Sequence, residues 1–390
     1  MSKPPRFETQ AIRTQTERTQ HHEHSTPMFL TSSYVFEDAE EMRATFADEQ
    51  QRNIYSRFSN PNLAEFVDKL CLLEGAEAGV ATATGMAAVF ATFAAHLSQG
   101  DHILSSRAIF GSTHNVFMQT LPQYGITTTY GDVDDPESWH DLVRPETKML
   151  YVETPSNPGV EILDLAWLRQ FCDQHNLLLV VDNCFATPYL QQPIKFGADL
   201  VIHSATKWID GQGRVLGGAI VGKADLIKPI FTFVRRTGPT LSPFNAWVLS
   251  KSLETLHVRM DRHCSNALDL AKRLESHPTI AKVRYPWLRS HPQQAIAQAQ
   301  MRAGGGIVAF ELREGLEKGR QFLDKLQLCS LTANLGDTRT IASHPSSTTH
   351  AKLTEEERLA AGITPGLIRI SVGLEHIEDI SADIWQALGK

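Results

Sequence analysis

The sequence predicts an α/β protein with a large, mostly parallel-sheet domain and a smaller C-terminal α/β domain. Short continuous apolar runs, such as LLLVV before Asp182, alternate with helical patterns, as is typical of strands that are buried on both faces. The chain has 390 residues, which is more than one hydrophobic core usually serves. These observations predict a wound sheet followed by a second unit.

The composition is that of an ordinary globular protein, with 42% hydrophobic and 21% charged residues. The formal net charge is -7, so the basic excess that a dedicated nucleic-acid-binding protein needs is absent. The first 20 residues contain no apolar signal-peptide core, and no run of 18 apolar residues occurs. We therefore expect a cytoplasmic protein that binds neither nucleic acid nor membrane.

The cysteine and histidine patterns do not predict a metal site. Five cysteines lie far apart without a C-x-x-C pair, so neither a disulfide framework nor a zinc site is expected. The sequence HHEH at residues 21–24 lacks a further set of ligands and is interpreted as a solvated segment. Cys184 is interpreted as packing of a pocket wall rather than as a nucleophile.

We predict three segments along the chain. Residues 1–60 are polar and form an N-terminal arm with a β-prone stretch, TSSYVF. Residues 61–255 form the large domain, which opens with a helical pattern from Asn62 to Gly75. Its strands are predicted at 77–82, 102–105, 126–130, 148–153, 177–181 and 199–203.

The C-terminal domain is predicted to span residues 256–390. Its boundary falls inside a long helical pattern that runs from Pro243 to about Glu275. Within this domain GGGIVAFEL and LIRISV are predicted strands, and residues 376–388 form a terminal helix.

The most informative segment is LLLVVDNCFATPYLQQPIKFGADLVIHSATK, which ends at Lys207. Two apolar strands place Asp182 and Lys207 at the carboxyl edge of the sheet, where open α/β folds bind ligands. A desolvated lysine can form a Schiff base with an aldehyde, and a buried aspartate can pair with a protonated pyridine nitrogen. Ser204 and Thr206 add hydroxyls for a phosphate. The pattern favours pyridoxal 5′-phosphate (PLP) over a structural aspartate and a surface lysine.

Asp182-Asn183 and Ser204-Ala-Thr-Lys207 resemble the cofactor motif of the cystathionine γ-synthase family of PLP enzymes, and the resemblance extends over nearly the whole chain. It implies the PLP-dependent transferase fold (fold type I), with Lys207 and Asp182 as catalytic residues that also bind the cofactor. The family is typically homotetrameric, built from dimers with shared active sites. A homo-oligomer is therefore expected here.

Further motifs of the family match residues that would bind the cofactor phosphate. Tyr55 and Arg57 resemble the segment that reaches into the neighbouring subunit's site; a solvent-exposed loop is the alternative interpretation. Gly85 and Met86 follow a predicted strand and open a helix, so their N–H groups could bind the phosphate, although an ordinary turn would look the same.

Two residues correspond to family positions at the cofactor ring. Phe110 occupies the position where most members have a tyrosine stacked on the ring, so stacking is retained but a phenolic hydroxyl is lost. Asn157 matches the asparagine that contacts the ring hydroxyl, although an asparagine before a proline is also a common turn residue.

The substrate end is predicted in the C-terminal domain. The resemblance implies that Arg369, in the motif R-x-S-x-G, binds the substrate carboxylate; a buried salt bridge is the alternative. Asn334, in Asn-Leu-Gly-Asp, and the segment 343–350 resemble the lining of the substrate pocket.

The variants Phe-Gly-Ser-Thr and Asn-Leu-Gly-Asp resemble the sulfhydrylases of this family. They imply γ-replacement on an O-acylhomoserine, with O-succinylhomoserine and sulfide as expected substrates and homocysteine and succinate as products of a step in methionine biosynthesis. Cystathionine γ-synthesis, O-acetylhomoserine sulfhydrylation and γ-elimination remain alternatives within the family.

Two other classes of protein are less consistent with the sequence. A nicotinamide dehydrogenase would need G-x-G-x-x-G opening an early helix, whereas Gly211-Gln-Gly213 follows the lysine motif and lacks the third glycine. A non-catalytic binding protein would not need the joint presence of Lys207, Asp182 and Arg369.

Overall fold

The computed structural model describes residues 4–348, 351, 354–360 and 362–389, which form two sheets with helices packed on them. Two residues of the predicted substrate-pocket segment, Thr349 and His350, lie outside the described residues. Among the described residues, no helix is long and apolar enough to cross a membrane.

A seven-stranded sheet forms the centre of the larger unit. Its strands are β1 (Ala78–Thr82), β2 (His102–Ser106), β3 (Thr127–Gly131), β4 (Thr147–Glu153), β5 (Leu178–Asp182), β6 (Leu200–His203) and β7 (Gly218–Gly222). Their order across the sheet is β1-β7-β6-β5-β4-β2-β3. Strands β2 to β6 are parallel to one another, and β7 is antiparallel to both β1 and β6. All six strands predicted for this unit are present, each within one residue of the predicted bounds.

The strand of the large sheet that the sequence analysis did not predict is β7. A Cβ atom at Gly218 would lie 2.2 Å from the Thr84 carbonyl oxygen, and one at Gly222 would lie 2.2 Å from the Asp199 carbonyl oxygen. Neighbouring backbone thus requires glycine at both ends of β7, and glycine weakens the strand pattern.

Ten α-helices accompany this sheet in the described part of the chain. They are α1 (Phe7–Arg13), α2 (Ala39–Phe46), α3 (Pro61–Glu74), α4 (Gly85–His96), α5 (Gly111–Asn115), α6 (Leu165–His175), α7 (Thr187–Leu190), α8 (Ala224–Thr237), α9 (Pro243–Leu253) and α10 (Leu256–Leu274). Helix α3 is the one predicted from Asn62. The Asn60 side chain caps its start, and Gly75 ends it with a left-handed φ of 79°.

The predicted arm contains two helices, α1 and α2, that the polar sequence did not indicate. The β-prone stretch TSSYVF forms only an isolated bridge between Ser33 and Tyr55. The arm is held to the large unit because the N–H of Thr16 and the hydroxyl of Thr26 both donate to the buried carboxylate of Glu65 in α3. These contacts are distant in sequence, so local patterns do not reveal them.

The C-terminal unit is a five-stranded sheet covered by helices. Its elements are β8 (Ile280–Arg284), α11 (Gln294–Gln300), β9 (Ile307–Leu312), α12 (Gly315–Lys325), β10 (Ser330–Leu331), β11 (Ile341–Ser343), α13 (Glu355–Ala360), β12 (Leu367–Ser371) and α14 (Ile377–Leu388). The order is β10-β11-β12-β9-β8, and only the β10–β11 pair is parallel. The predicted strands in GGGIVAFEL and LIRISV are β9 and β12, and the predicted terminal helix is α14. The sequence analysis did not predict β8, β10 or β11.

The long helical pattern from Pro243 to Glu275 is two helices, α9 and α10, which break at residues 254–255. Leu256 and Met260, near the start of α10, pack into the core of the large sheet. Leu270 and Leu274, near its end, pack into the core of the small sheet. Helix α10 therefore joins the two units, and the predicted boundary at residue 256 falls at its beginning and remains a prediction.

Candidate active site

A cavity of about 200 Å³ lies at the carboxyl edge of the large sheet and extends to the small unit. It begins where β4, β5 and β6 end and is closed on the far side by β12. Nine of the predicted site residues line it: Gly85, Met86, Phe110, Asn157, Asp182, Ser204, Thr206, Lys207 and Arg369. Asn334 lies between Ala333 and Leu335, which also line it. Tyr55 and Arg57 do not line this cavity.

Lys207 follows β6 and directs its amine into the cavity. Its Nζ donates a 2.6 Å hydrogen bond to Oδ1 of Asn334 from the small unit. Burial lowers the pKa of Lys207, and the nearby Arg369 charge lowers it further, whereas Cys184 acts in the opposite direction. The amine is therefore easier to deprotonate than an exposed lysine, as a nucleophile or base requires.

Asp182 is the last residue of β5 and is only 8% exposed. Its Oδ1 accepts a 3.0 Å bond from the N–H of Cys184, and its Oδ2 accepts a 3.2 Å bond from the hydroxyl of Tyr151. Burial raises the pKa of Asp182, although these hydrogen bonds and the nearby His203 oppose the shift. None of its described bonds comes from a cationic side chain, so a cation in the cavity would stabilise this carboxylate.

Glu153, at the end of β4, is a second buried carboxylate, and the sequence analysis gave it no role. It is 3% exposed, and its Oε2 accepts a 2.7 Å bond from the N–H of Phe110. Burial raises the pKa of Glu153 well above its ordinary value, and the Asp182 charge adds to this effect. The only sequence indication was a glutamate at the end of an apolar strand, next to the predicted Asp182 strand.

The guanidinium of Arg369, on β12, lines the same cavity. It is 6% exposed; Nη1 donates to Asn157 Oδ1 at 2.9 Å, and Nη2 donates to the Asn334 carbonyl oxygen at 3.1 Å. Its buried Nε has no hydrogen-bond partner among the described residues. Burial lowers the pKa of Arg369 to about 10, so it remains a cation that needs an anion.

The opposite end of the cavity is built around the start of α4. The Thr84 side chain caps this helix by accepting from the N–H of Ala87, and no described hydrogen bond uses the N–H groups of Gly85 or Met86. A Cβ at Gly85 would lie 2.6 Å from Cβ of Ser204, so only glycine allows this close approach. The hydroxyl of Thr206 interacts with the backbone of Gly217.

Phe110 and Cys184 form part of the cavity wall. Phe110 is 38% exposed, so its ring is open on one side. The Cys184 thiol contacts the Ser204 carbonyl oxygen at 3.8 Å, and burial raises its pKa, which fits packing rather than nucleophilic chemistry.

Tyr55 and Arg57 lie on the surface of the described chain, away from this cavity. Tyr55 is 40% exposed, and the Arg57 guanidinium lies 4.7 Å from the ring centre of Phe58 and donates to the Arg235 carbonyl oxygen. A single chain therefore does not bring them to its own Lys207, and their predicted role needs a second subunit.

The residues present fit PLP. Asp182 is a buried carboxylate without a bonded cation, and a protonated pyridine nitrogen would supply one. Lys207 offers an amine for an aldehyde, while the free N–H groups at the start of α4, which is 12 residues long, suit a phosphate. One cavity thus contains a carboxylate, an amine and free N–H groups that suit the pyridine nitrogen, the aldehyde and the phosphate of this cofactor.

Comparison with known proteins gives the same assignment. A family model described as Cys/Met metabolism PLP-dependent enzyme matches residues 8–389. An O-succinylhomoserine sulfhydrylase from Pseudomonas aeruginosa is 46% identical over 382 residues, covering 98% of this chain and 95% of that protein. An L-methionine gamma-lyase from Porphyromonas gingivalis is 40% identical over 367 residues, covering 93% of this chain and 92% of that protein.

A solved structure extends the similarity to the fold. It comes from Campylobacter jejuni, is named as a candidate O-acetylhomoserine (thiol)-lyase and contains N′-pyridoxyl-lysine-5′-monophosphate. It matches with a TM-score of 0.95 and 35% identity, covering 98% of this chain and 100% of that chain.

These matches confirm the predicted fold class and the predicted cofactor. The family model and the relatives cover nearly the whole chain, including both sheets and the cavity between them. The chain therefore belongs to the PLP-dependent enzymes of Cys/Met metabolism.

Proposed function

We propose that this enzyme catalyses γ-replacement on O-succinylhomoserine with sulfide, giving homocysteine and succinate in methionine biosynthesis. The observation that carries the proposal is the convergence of Lys207, Asp182 and Arg369 on one buried cavity. The choice of substrate is supported by the relative from Pseudomonas aeruginosa, which is named an O-succinylhomoserine sulfhydrylase.

Arg369 would bind the α-carboxylate of the amino acid. Its unpartnered Nε and its adjacent Nη2 suit a carboxylate, which would also offset the cost of burying the guanidinium. Asn157 and the Asn334 carbonyl oxygen hold the guanidinium in place through the bonds described above. The amino acid would therefore be fixed at its carboxylate end before any proton moves.

Lys207 would then act on the proton of the α carbon, and Asp182 on the proton of the cofactor ring nitrogen. When bound, PLP supplies an electrophilic aldehyde carbon and an electron-accepting ring. Lys207 Nζ would take the α proton, since burial lowers its pKa. Asp182 would keep the ring nitrogen protonated, and Tyr151 and the N–H of Cys184 hold its carboxylate in position.

Product analysis tests this proposal against its rivals within the family. The purified enzyme is supplied with O-succinylhomoserine or O-acetylhomoserine and with equal concentrations of sulfide, cysteine or neither. We expect homocysteine from the succinyl ester and sulfide to form fastest. Faster formation of cystathionine, or of 2-oxobutyrate without a sulfur donor, would replace this proposal by cystathionine γ-synthase or γ-lyase activity.

We further propose a cytoplasmic homotetramer made of two dimers that share active sites. Support comes from the position of Tyr55 and Arg57, which carry the family's phosphate-binding motif yet lie outside the cavity of their own chain. Exposure of the Phe110 ring is also consistent with a neighbouring subunit that covers the cavity mouth. Sedimentation velocity and the mixing experiment described in the Discussion test this assembly.

A further inference from the structure

Three polar side chains lie on one face of α10, the helix that joins the two units. Arg259, His263 and Asn266 are spaced i, i+4 and i+7, which places them within about 60° around the helix axis. They are 6%, 0% and 2% exposed, respectively. Polar groups buried this deeply must make hydrogen bonds, and their partners identify what the helix holds.

The first of the three side chains binds the backbone that directly follows the cofactor lysine. Nη1 of Arg259 donates to the Trp208 carbonyl oxygen at 2.6 Å, and Nη2 donates to the Ile209 carbonyl oxygen at 3.0 Å. Nη2 also donates to the Ser252 carbonyl oxygen at 3.0 Å, at the end of α9. The turn after Lys207 is therefore fixed to α10 by charge-assisted bonds.

The third side chain binds the backbone that follows the carboxylate-binding strand β12. Nδ2 of Asn266 donates to the carbonyl oxygens of Gly373 and Glu375, at 3.0 and 2.9 Å. This segment begins four residues after Arg369. The helix therefore also fixes the chain that leaves β12.

His263, the middle side chain, contacts both the backbone that follows β12 and the segment that follows Lys207. The Nδ1–H of His263 donates to the Val372 carbonyl oxygen at 2.7 Å, and the His263 ring packs edge-on against the Trp208 ring at 4.7 Å between centres. Burial lowers the pKa of His263 to about 4, so the ring is neutral at physiological pH and this bond does not titrate there.

We propose that Arg259, His263 and Asn266 are positioning residues that set the separation between Lys207 and Arg369. This separation determines how well an α-amino acid is bound through its amino group and its carboxylate. The seven residue steps from Arg259 to Asn266 rise about 10 Å along a regular helix, which is a stiff spacer between two backbone segments. Close packing reinforces this spacing, because a Cβ at Gly336 would lie 2.6 Å from the Trp208 backbone nitrogen. The inference rests on the proposed function only in taking Lys207 as the cofactor lysine and Arg369 as the residue that binds the carboxylate.

Ligand affinity of the holoenzyme tests the proposal. L-norvaline has an α-carboxylate but no γ leaving group, and butylamine is the same molecule without the carboxylate. The dissociation constants of both are measured from the change in cofactor absorbance, with no sulfur donor present. The measurement is therefore independent of which acyl ester is the natural substrate.

Two substitutions break the bonds to the β12 side. His263→Leu removes the donor to Val372, and Asn266→Asp replaces both donors by a carboxylate. For each we expect L-norvaline to bind about tenfold more weakly, with butylamine affinity unchanged, because Arg369 is displaced and Lys207 is not. His263→Asn keeps a donor near Nδ1 and should restore L-norvaline affinity to within about threefold of wild type.

The control is Ser265→Ala, an exposed position on the same helix, which should change neither affinity. Circular dichroism checks that each variant is folded, and Asn266→Ser provides the test if either of the other two substitutions prevents folding. Equal weakening of L-norvaline and butylamine, or no weakening of either, would overturn the proposal. The product assay of the wild-type enzyme decides the proposed function separately.

Discussion

Four ionisable side chains share the buried end of the cavity, and each is shifted mainly by loss of water. Burial lowers the pKa values of Lys207 and Arg369 and raises those of Asp182 and Glu153. Every one of these shifts favours the neutral form, which is the usual response to a low dielectric. Clusters of groups with shifted pKa values in one cavity are typical of active sites.

Replacing Lys207 by Ala tests the central residue assignment. The variant lacks the amine that would bond to the cofactor and move the α proton, so we expect turnover to fall by at least about 10³-fold. The absorbance above 400 nm that depends on this bond should also disappear, while circular dichroism stays that of wild type. Lys195→Ala, at an exposed lysine, is the matched control and should retain both properties. Full activity of Lys207→Ala would contradict the assignment.

The buried Glu153 predicts a pH dependence of stability in the cofactor-free protein. Burial raises its pKa in the folded state, so the unfolded state releases this proton first as the pH rises. The stability that Glu153 contributes is present below the ordinary glutamate pKa and is lost as the pH rises through the raised pKa. Glu153→Gln removes this loss, and its side-chain oxygen can still accept from the N–H of Phe110.

We therefore expect cofactor-free Glu153→Gln to melt on the order of 2 °C higher than wild type at pH 8, with the difference vanishing near pH 4. Thermal melts followed by circular dichroism across this range measure the effect. Glu317→Gln, at an exposed position, is the control and should show no comparable difference. A gain that is equal at pH 4 and pH 8 would indicate improved packing rather than an avoided buried charge.

At the scale of single elements, the start of α4 gives a prediction about the cofactor phosphate. Gly85→Ala would place a Cβ 2.6 Å from Cβ of Ser204, so the helix start must move away from the strand end of β6. We expect cofactor affinity to fall by about tenfold or more, measured by equilibrium dialysis. The reverse exchange Ala95→Gly, near the end of the same helix, should cost under about 1 kcal/mol of stability and leave cofactor affinity unchanged.

How well the sequence predicts an element depends on where its stabilising contacts lie. The six strands from β1 to β6 were predicted because each is a continuous apolar run whose pattern is local. Strand β7 was missed because contacts with Thr84 and Asp199 impose glycines, and the break between α9 and α10 was missed because helical periodicity continues across it.

Sequence motifs predicted some residues of the site, whereas roles that depend on tertiary contacts could not be predicted from the sequence. Lys207 and Asp182 follow apolar strands, so their place at the sheet edge could be expected from the sequence. The role of Asn334 as acceptor for Lys207 and the buried state of Glu153 depend on pairs up to 127 residues apart, which no local pattern encodes. The polar face of α10 was hidden in the same way, since it resembles an ordinary amphipathic helix.

At the scale of the whole molecule, shared active sites predict complementation between two inactive variants. Arg57→Ala would remove the predicted phosphate contact to the partner's site, and Lys207→Ala removes the amine of the chain's own site. Each homo-oligomer should be nearly inactive. When the two variants are unfolded, mixed in equal amounts and refolded together, about half of the dimers should be mixed. Roughly a quarter of wild-type activity should then return, because one of the two sites in each mixed dimer is intact.

Sedimentation velocity of the mixture shows whether oligomers have re-formed, and the same treatment of each variant alone is the control. No regain of activity in re-formed oligomers would show that Arg57 acts within its own subunit or not at all. Full activity of the Arg57→Ala variant alone would contradict the predicted phosphate contact.

The edge position of β1 has a consequence for synthesis of the chain. Among the described strands β1 pairs with β7 alone, and its remaining bridge joins Thr82 to Thr240, so the backbone of residues 78–82 stays without its sheet partners until residue 222 has been translated. Helix α4, which begins at Gly85 soon after β1, packs closely against Ser204 and therefore also depends on a residue that is translated much later. We expect a nascent chain that stops before Gly218 to expose an unpaired apolar strand, which makes chaperone protection most valuable during the middle third of translation.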